Sequence, residues 1–206
     1  MNNMKKTLFS ILVLLCTLQI SFSQVITFQP TTAGTGYLPS NNSSGGITFV
    51  IQNTNPYPAI LNSLTYWNSV AATKDFTLWY SSSSISGAPT FPPTVAAGWN
   101  TVATVTGVAM AASVQSPIFT GLTFVIPANT TYRFYLISAN VQYTGLTAPP
   151  NPSGVSPTTF TNTGVNFLVA EAQIAGQNVG WGGGNFSPRA FLGSATLTLL
   201  STPCLQ

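Results

Sequence analysis

Apolar side chains in this chain recur at every second position and, beyond residue 24, nowhere with a helical period. That rhythm is the strongest constraint on the fold, because alternation marks a strand with one buried face. In residues 46–53 (GITFVIQN), Ile47, Phe49 and Ile51 fall on one face, with Thr48 and Gln52 on the other. Residues 74–81 (KDFTLWYS) set Phe76, Leu78 and Tyr80 together, with Trp79 opposite. Residues 59–69 form a longer run whose alternation breaks near Asn62 and Ser63, which predicts a bulge. Residues 101–108 are rich in Thr and Val and therefore β-prone.

The second half repeats the pattern. Leu122, Phe124 and Ile126 point one way, and Pro127-Ala128-Asn129 supplies a turn. In residues 130–139, Tyr132, Phe134 and Leu136 point inward, with Arg133 and Tyr135 on the other side. Residues 165–174 are expected to align Leu168, Ala170, Ala172 and Ile174, with Glu171 opposite. Ala195, Leu197 and Leu199 form a last inward face, with Thr196 and Thr198 outward. About eight to ten such strands with one apolar face each predict an all-β chain, two antiparallel sheets packed as an Ig-like or jelly-roll-like sandwich. A closed barrel is the alternative. The long joins, residues 29–44, 82–100, 144–156 and 176–189, are rich in Gly, Pro, Ser or Asn and read as loops. No repeat of solenoid or propeller length is present.

The N-terminal segment reads differently. Lys5 and Lys6 precede an apolar run from residue 8 to residue 20, too short to span a bilayer, and Ser21-Phe22-Ser23 offers small residues for cleavage. Residues 1–23 are thus expected to be a signal peptide cut before Gln24, leaving no membrane span and a secreted or cell-surface product. A lipid anchor on Cys16 is disfavoured, since Leu15 before it is not small. Residues 24–200 are expected to form a single domain, and residues 201–206 a C-terminal tail or the start of a linker. After cleavage one cysteine remains, Cys204, which has no partner for an internal disulfide.

Charge is nearly absent. Of 206 residues, 5 are Lys or Arg, 2 are Asp or Glu, and none is His. Past residue 23 the charges are Lys74, Arg133 and Arg189 against Asp75 and Glu171. Solvation falls to 29 Thr, 21 Ser, 16 Asn and 9 Gln. Without His, a hydrolytic Ser lacks its usual base. Asp75 and Glu171 lie far apart in sequence, and neither sits in an Asp/Asn-rich loop, so no metal site or cofactor is expected. A net charge of +3 is too small for a nucleic-acid footprint. A Ser–Lys pair at Lys74 is conceivable, but a solvated edge pair with Asp75 is the plainer reading. Thr-x-Thr recurs at 104/106, 159/161 and 196/198, too irregularly for an ice-binding array. The expectation is a protein without enzymatic activity.

The ligand-binding candidates are Trp181, Asn185 and Arg189. Trp181 lies in a loop of glycines with Asn185 close by (GWGGGN), an arrangement that suits stacking on a sugar ring with polar groups fixing its hydroxyls. The plainer reading is that Trp181 plugs one end of the sandwich. Arg189 follows Phe186-Ser187-Pro188 and suits a structural clamp, with Glu171 or Asp75 as partner, as well as a ligand contact. Arg133 reads as an outward strand charge or a partner of Glu171, and Trp99 as a core anchor.

Three stretches carry a family resemblance. They are Phe76-Thr77-Leu78-Trp79-Tyr80 followed by Gly98-Trp99-Asn100-Thr101-Val102; residues 124–135 (FVIPANTTYRFY); and residues 186–193 (FSPRAFLG). In this order they resemble a secreted module of Bacteroidota-type surface proteins and type IX secretion cargo. The resemblance implies a β-sandwich displayed outside the cell, ahead of further modules and a sorting domain, and it brings no catalytic residues. The expectation is an extracellular structural or adhesion module that makes multipoint contact through uncharged polar strands and long loops, with cell-surface glycans or neighbouring surface proteins as partners. A carbohydrate-binding module using the 176–189 loop is the alternative.

Overall fold

A computed structural model describes residues 23–28, 43–82, 92–145, 159–168, 170–171 and 189–200. The expected signal peptide, Trp181, Asn185 and Cys204 lie outside the described residues, apart from Ser23. In chain order the described strands are β1 (Ser23–Phe28), β2 (Ser43–Asn53), β3 (Ala59–Asn68), β4 (Ala72–Ser81), β5 (Asn100–Met110), β6 (Val114–Phe119) and β7 (Phe124–Ile126). They continue as β8 (Thr130–Gly145), β9 (Thr159–Asn162), β10 (Val165–Leu168), β11 (Ala170–Glu171), β12 (Arg189–Phe191) and β13 (Ala195–Leu200). All pairings are antiparallel, in two sheets. One sheet runs β1-β13-β3, with β6 and β7 pairing successive parts of β3. The other runs β9-β10-β2-β8-β4-β5, and the far end of β8 also pairs β12, which pairs β11. The expected sandwich is therefore present.

The alternating residues form its core. Ile47, Phe49 and Ile51 of β2, Phe134 and Leu136 of β8, and Phe76 and Leu78 of β4 belong to one buried cluster with Leu61, Leu64 and Tyr66 of β3 and Leu197 of β13. Phe49 sits at its centre, stacked on Phe134 at 5.3 Å and Phe191 at 4.6 Å, with Phe167 edge-on at 5.6 Å. Such ring pairs contribute about 1 kcal/mol each beyond the area they bury. Close approach at the chain's end depends on Gly193, where a Cβ would stand 2.1 Å from the Thr65 carbonyl oxygen.

The bulge predicted near Asn62 is present. Thr196 pairs Ser63 while Leu197 pairs Leu61, so Asn62 is the extra residue. Its carbonyl accepts from Leu122 N (2.8 Å), and its side chain accepts from Thr198 Oγ1 (2.7 Å). One alternation was misassigned. Val165 and Phe167 of β10 enter the core, whereas Leu168 is only half-buried on the other side. Pairing of Phe167 with the buried Ile51 of β2 sets this face, while residues 172 and 174 lie outside the described residues.

One face expected to be polar carries buried groups. Arg133 and Tyr135 do face away from the core, but both are buried. Trp99 covers them, 5.6 Å from the Tyr135 ring and 5.9 Å from the Arg133 guanidinium. It is a buried anchor, as expected, but on the outside of the larger sheet. A capped 3-10 turn, Val95–Ala97, positions it: Thr94 caps the turn, Gly98 takes φ 83°, and Trp99 N donates to the Thr94 carbonyl at 3.1 Å.

At the end of the sandwich where β2 stops, two asparagines fasten three loops. Asn53 Nδ2 donates to the carbonyls of Tyr57 (2.9 Å), Pro127 (3.0 Å) and Ile126 (3.3 Å). Asn53 Oδ1 accepts from both nitrogens of Asn55, at 3.1 Å each. Asn55 Nδ2 reaches the Thr163 carbonyl (2.9 Å) in the β9–β10 hairpin, where Thr163 and Gly164 both take positive φ. That pair of left-handed residues makes the tight hairpin turn.

Candidate functional site

The neighbouring charges Lys74 and Asp75 lie near the start of β4, ahead of Thr77 where its pairing with β8 begins, so among the described residues this stretch pairs β5 alone. Successive residues of a strand point to opposite faces, so the two diverge. Lys74 Nζ donates to the Asn140 carbonyl at 2.7 Å and stands 6.0 Å from the centre of the Tyr66 ring. Asn140, at φ 58°, marks a bulge in β8: Ser44 pairs Val141, but Gly46 pairs Ile137. Asp75 Oδ1 accepts from Gly107 N at 2.8 Å. Gly107, at φ 67°, marks a bulge in β5 between the partners of Lys74 and Phe76. Each charge is thus taken up by the backbone of a different bulge. Burial lowers the Lys74 amine below its ordinary value.

A groove of about 410 Å³ opens here, lined by Thr73, Lys74, Asp75, Thr77, Ile137, Ser138 and Ala139. Beside it a polar network ties the two sheets together. Tyr66 Oη donates to the Gln142 carbonyl at 3.0 Å and accepts from Gln142 N. Gln142 in turn accepts from Ser69 N and donates to Ser69 Oγ, at 2.6 Å each. Burial pushes the Tyr66 hydroxyl well above its ordinary value, partly opposed by its bond to the Gln142 backbone. Two buried atoms near this end, Ser138 Oγ and Asn68 Oδ1, have no hydrogen-bond partner. The groove therefore offers hydroxyls and backbone-engaged charges, a set suited to hydrogen bonding with uncharged polar groups.

Of the ligand-binding residues expected from sequence, Trp181 and Asn185 lie outside the described residues. Arg189 is the first residue of β12, in register with Glu171 of β11 and Gly145 of β8. The backbone thus brings Arg189 and Glu171 opposite each other, the pairing considered from sequence. It places both beyond the groove along β8. Sequence reasoning missed the Tyr66–Gln142 tie and the Asn140 bulge. The one available signal was an asparagine interrupting an apolar strand, since Asn tolerates the left-handed conformation.

No family model and no curated protein matches the chain. Among solved structures it is similar to a clostridial cysteine protease after propeptide cleavage, at 15% identity and a TM-score of 0.40, covering 86% of this chain and 40% of that one. It is also similar to the VP2 subviral particle of infectious bursal disease virus, at 14% identity and a TM-score of 0.31, covering 86% and 33%. The chain spans less than half the length of either protein. At these scores neither likeness carries an argument about activity.

Proposed function

We propose that this chain is a non-enzymatic extracellular module, secreted or held at a cell surface, that serves structure or adhesion. The observation that supports this reading is where its ionisable groups go. Lys74 and Asp75 each hold a bulge, and Arg133 is buried against Trp99. The outward strand faces instead carry neutral ladders, such as Thr77 to Thr104 (3.2 Å), Thr27 to Thr196 (3.3 Å) and Asn166 to Gln52 (2.7 Å). A surface of this kind makes many weak contacts with uncharged polymers, which fits cell-surface glycans or neighbouring surface proteins as partners. The carbohydrate-binding alternative rests on Trp181, Asn185 and Arg189, of which Arg189 alone is among the described residues, in register with Glu171.

Salt dependence tests the reading. The full chain, coupled to beads, is tested for retention on cell surfaces under flow from about 0.1 M to about 1 M salt, across which the screening length falls from about 10 Å to about 3 Å. Retention that stays constant is expected. No retention at any salt, or retention that collapses as salt rises, would overturn the proposal.

A further inference from the structure

The two long sides of the sandwich are closed differently. On one side β1 lies beside β9; β9 has only four residues, and Gln24 Nε2 bonds Thr163 Oγ1 across the gap at 3.2 Å. On the other side β5 is the edge of the larger sheet, and among the described residues it pairs with β4 alone. Natural edges are guarded by shortness, charge, proline or a bulge. Strand β9 is short, β7 has three residues and β6 carries Pro117. Strand β5 has eleven residues (NTVATVTGVAM) with no charge and no proline, and its guards are two bulges, at Val102 and at Gly107. Its core-facing residues Val102, Ala103, Val105 and Val108 stay half-buried, while Phe76 and Leu78 on β4 are fully buried. A second groove, about 290 Å³, opens beside the edge between Val102 and the Leu122–Phe124 backbone. Among the described residues the sandwich is thus open along β5, with strand-pairing groups and apolar side chains presented together.

We propose that β5 is a self-association edge, pairing antiparallel with β5 of a second copy of this chain about a two-fold axis. Charge selects this occupant. In a two-fold pairing each strand meets its own sequence reversed, so any charge near the axis would face a like charge. An edge without charge over eleven residues meets no such penalty. The added strand continues the eight-stranded sheet, and its alternate side chains cover Val102 and Val105. The proposal goes beyond the functional reading and does not depend on what the module adheres to.

Sedimentation equilibrium of the full chain, from about 1 μM to about 1 mM, reads the association across the range where weak interfaces dissociate. A reversible dimer is expected. Thr104 and Thr106 are exposed, so T104K/T106K should keep the fold while weakening the dimer at least about tenfold by like-charge contact. Mixing that variant with T104E/T106E should restore a heterodimer. If the paired variant loses the native circular dichroism spectrum, T101K at the exposed end of the strand makes the same test. A monomer at every concentration would overturn the proposal. So would a dimer indifferent to the lysines, or a monomer that takes up an unrelated strand-forming peptide along β5.

Discussion

The Asn53 end of the sandwich and the Lys74 end solve one problem with different chemistry. Both must satisfy peptide groups where strands stop and loops turn inward. At the first, two amides do so without charge: Asn53 gives one nitrogen to three carbonyls and one oxygen to Asn55. At the second, a phenol, an amide and an ammonium share the work, and Ser138 Oγ and Asn68 Oδ1 are left without partners. A side-chain amide carries donors and an acceptor together, so it closes loops at low desolvation cost. A cation brings donors alone and must stay partly wet. The less complete end is also the one where the 410 Å³ groove opens.

The largest effect is expected from Asn53→Leu. It keeps the branched shape of the side chain but strips the carbonyls of Tyr57, Ile126 and Pro127 of their shared donor, and should cost about 3 kcal/mol in urea unfolding. Tyr66→Phe at the other end should cost about 2 kcal/mol, since both Gln142 backbone groups lose their partner. A smaller loss there than at Asn53 would sharpen the contrast between the ends; a larger one would reverse it.

Alkaline pH separates the ends further. Burial raises the Tyr66 hydroxyl in the folded chain, and also that of Tyr135, where Arg133 partly offsets it. The unfolded chain releases these protons near pH 10, so above that value the folded state binds more protons and stability falls by about 1.4 kcal/mol per group per pH unit. Lys74 has the opposite sign. Its lowered folded value means that the unfolded chain holds the extra proton, so its contribution grows as pH rises towards the ordinary lysine value. Stability should therefore drift upward below pH 10 and drop above it, and Tyr66→Phe should reduce the drop. A melting curve that does not change above pH 10 would contradict the burial of both phenols.

The smallest effects are expected at the charges themselves. Lys74→Met keeps the stem over Tyr66 and removes a half-buried cation, which should change stability by no more than about 1 kcal/mol. Asp75→Asn keeps an acceptor for Gly107 N and should stay within about 0.5 kcal/mol.

The core was legible because strand alternation depends on neighbouring residues alone. Ile47, Phe49 and Ile51 announce their face, and the break at Asn62 announces its bulge. The groove was not legible, because it depends on which distant strand each residue meets. Nothing local says that Lys74 will find the Asn140 carbonyl, or that Tyr66 will span to Gln142. Arg133 and Tyr135 were assigned to the correct face, yet their burial depends on Trp99 folding back over that face. Strands β1, β6 and β12 were passed over: they are short, and their apolar residues are too few to set a period.

The central claim is that the charges of the groove serve the fold while contact is made by neutral surface. The most direct measurement is surface retention of the K74M/D75N double variant, recorded alongside its melting temperature. The account predicts retention equal to that of the unaltered chain, with at most a small change in melting temperature. Retention lost while the melting temperature stays unchanged would contradict it, because Lys74 and Asp75 would then be acting on a partner.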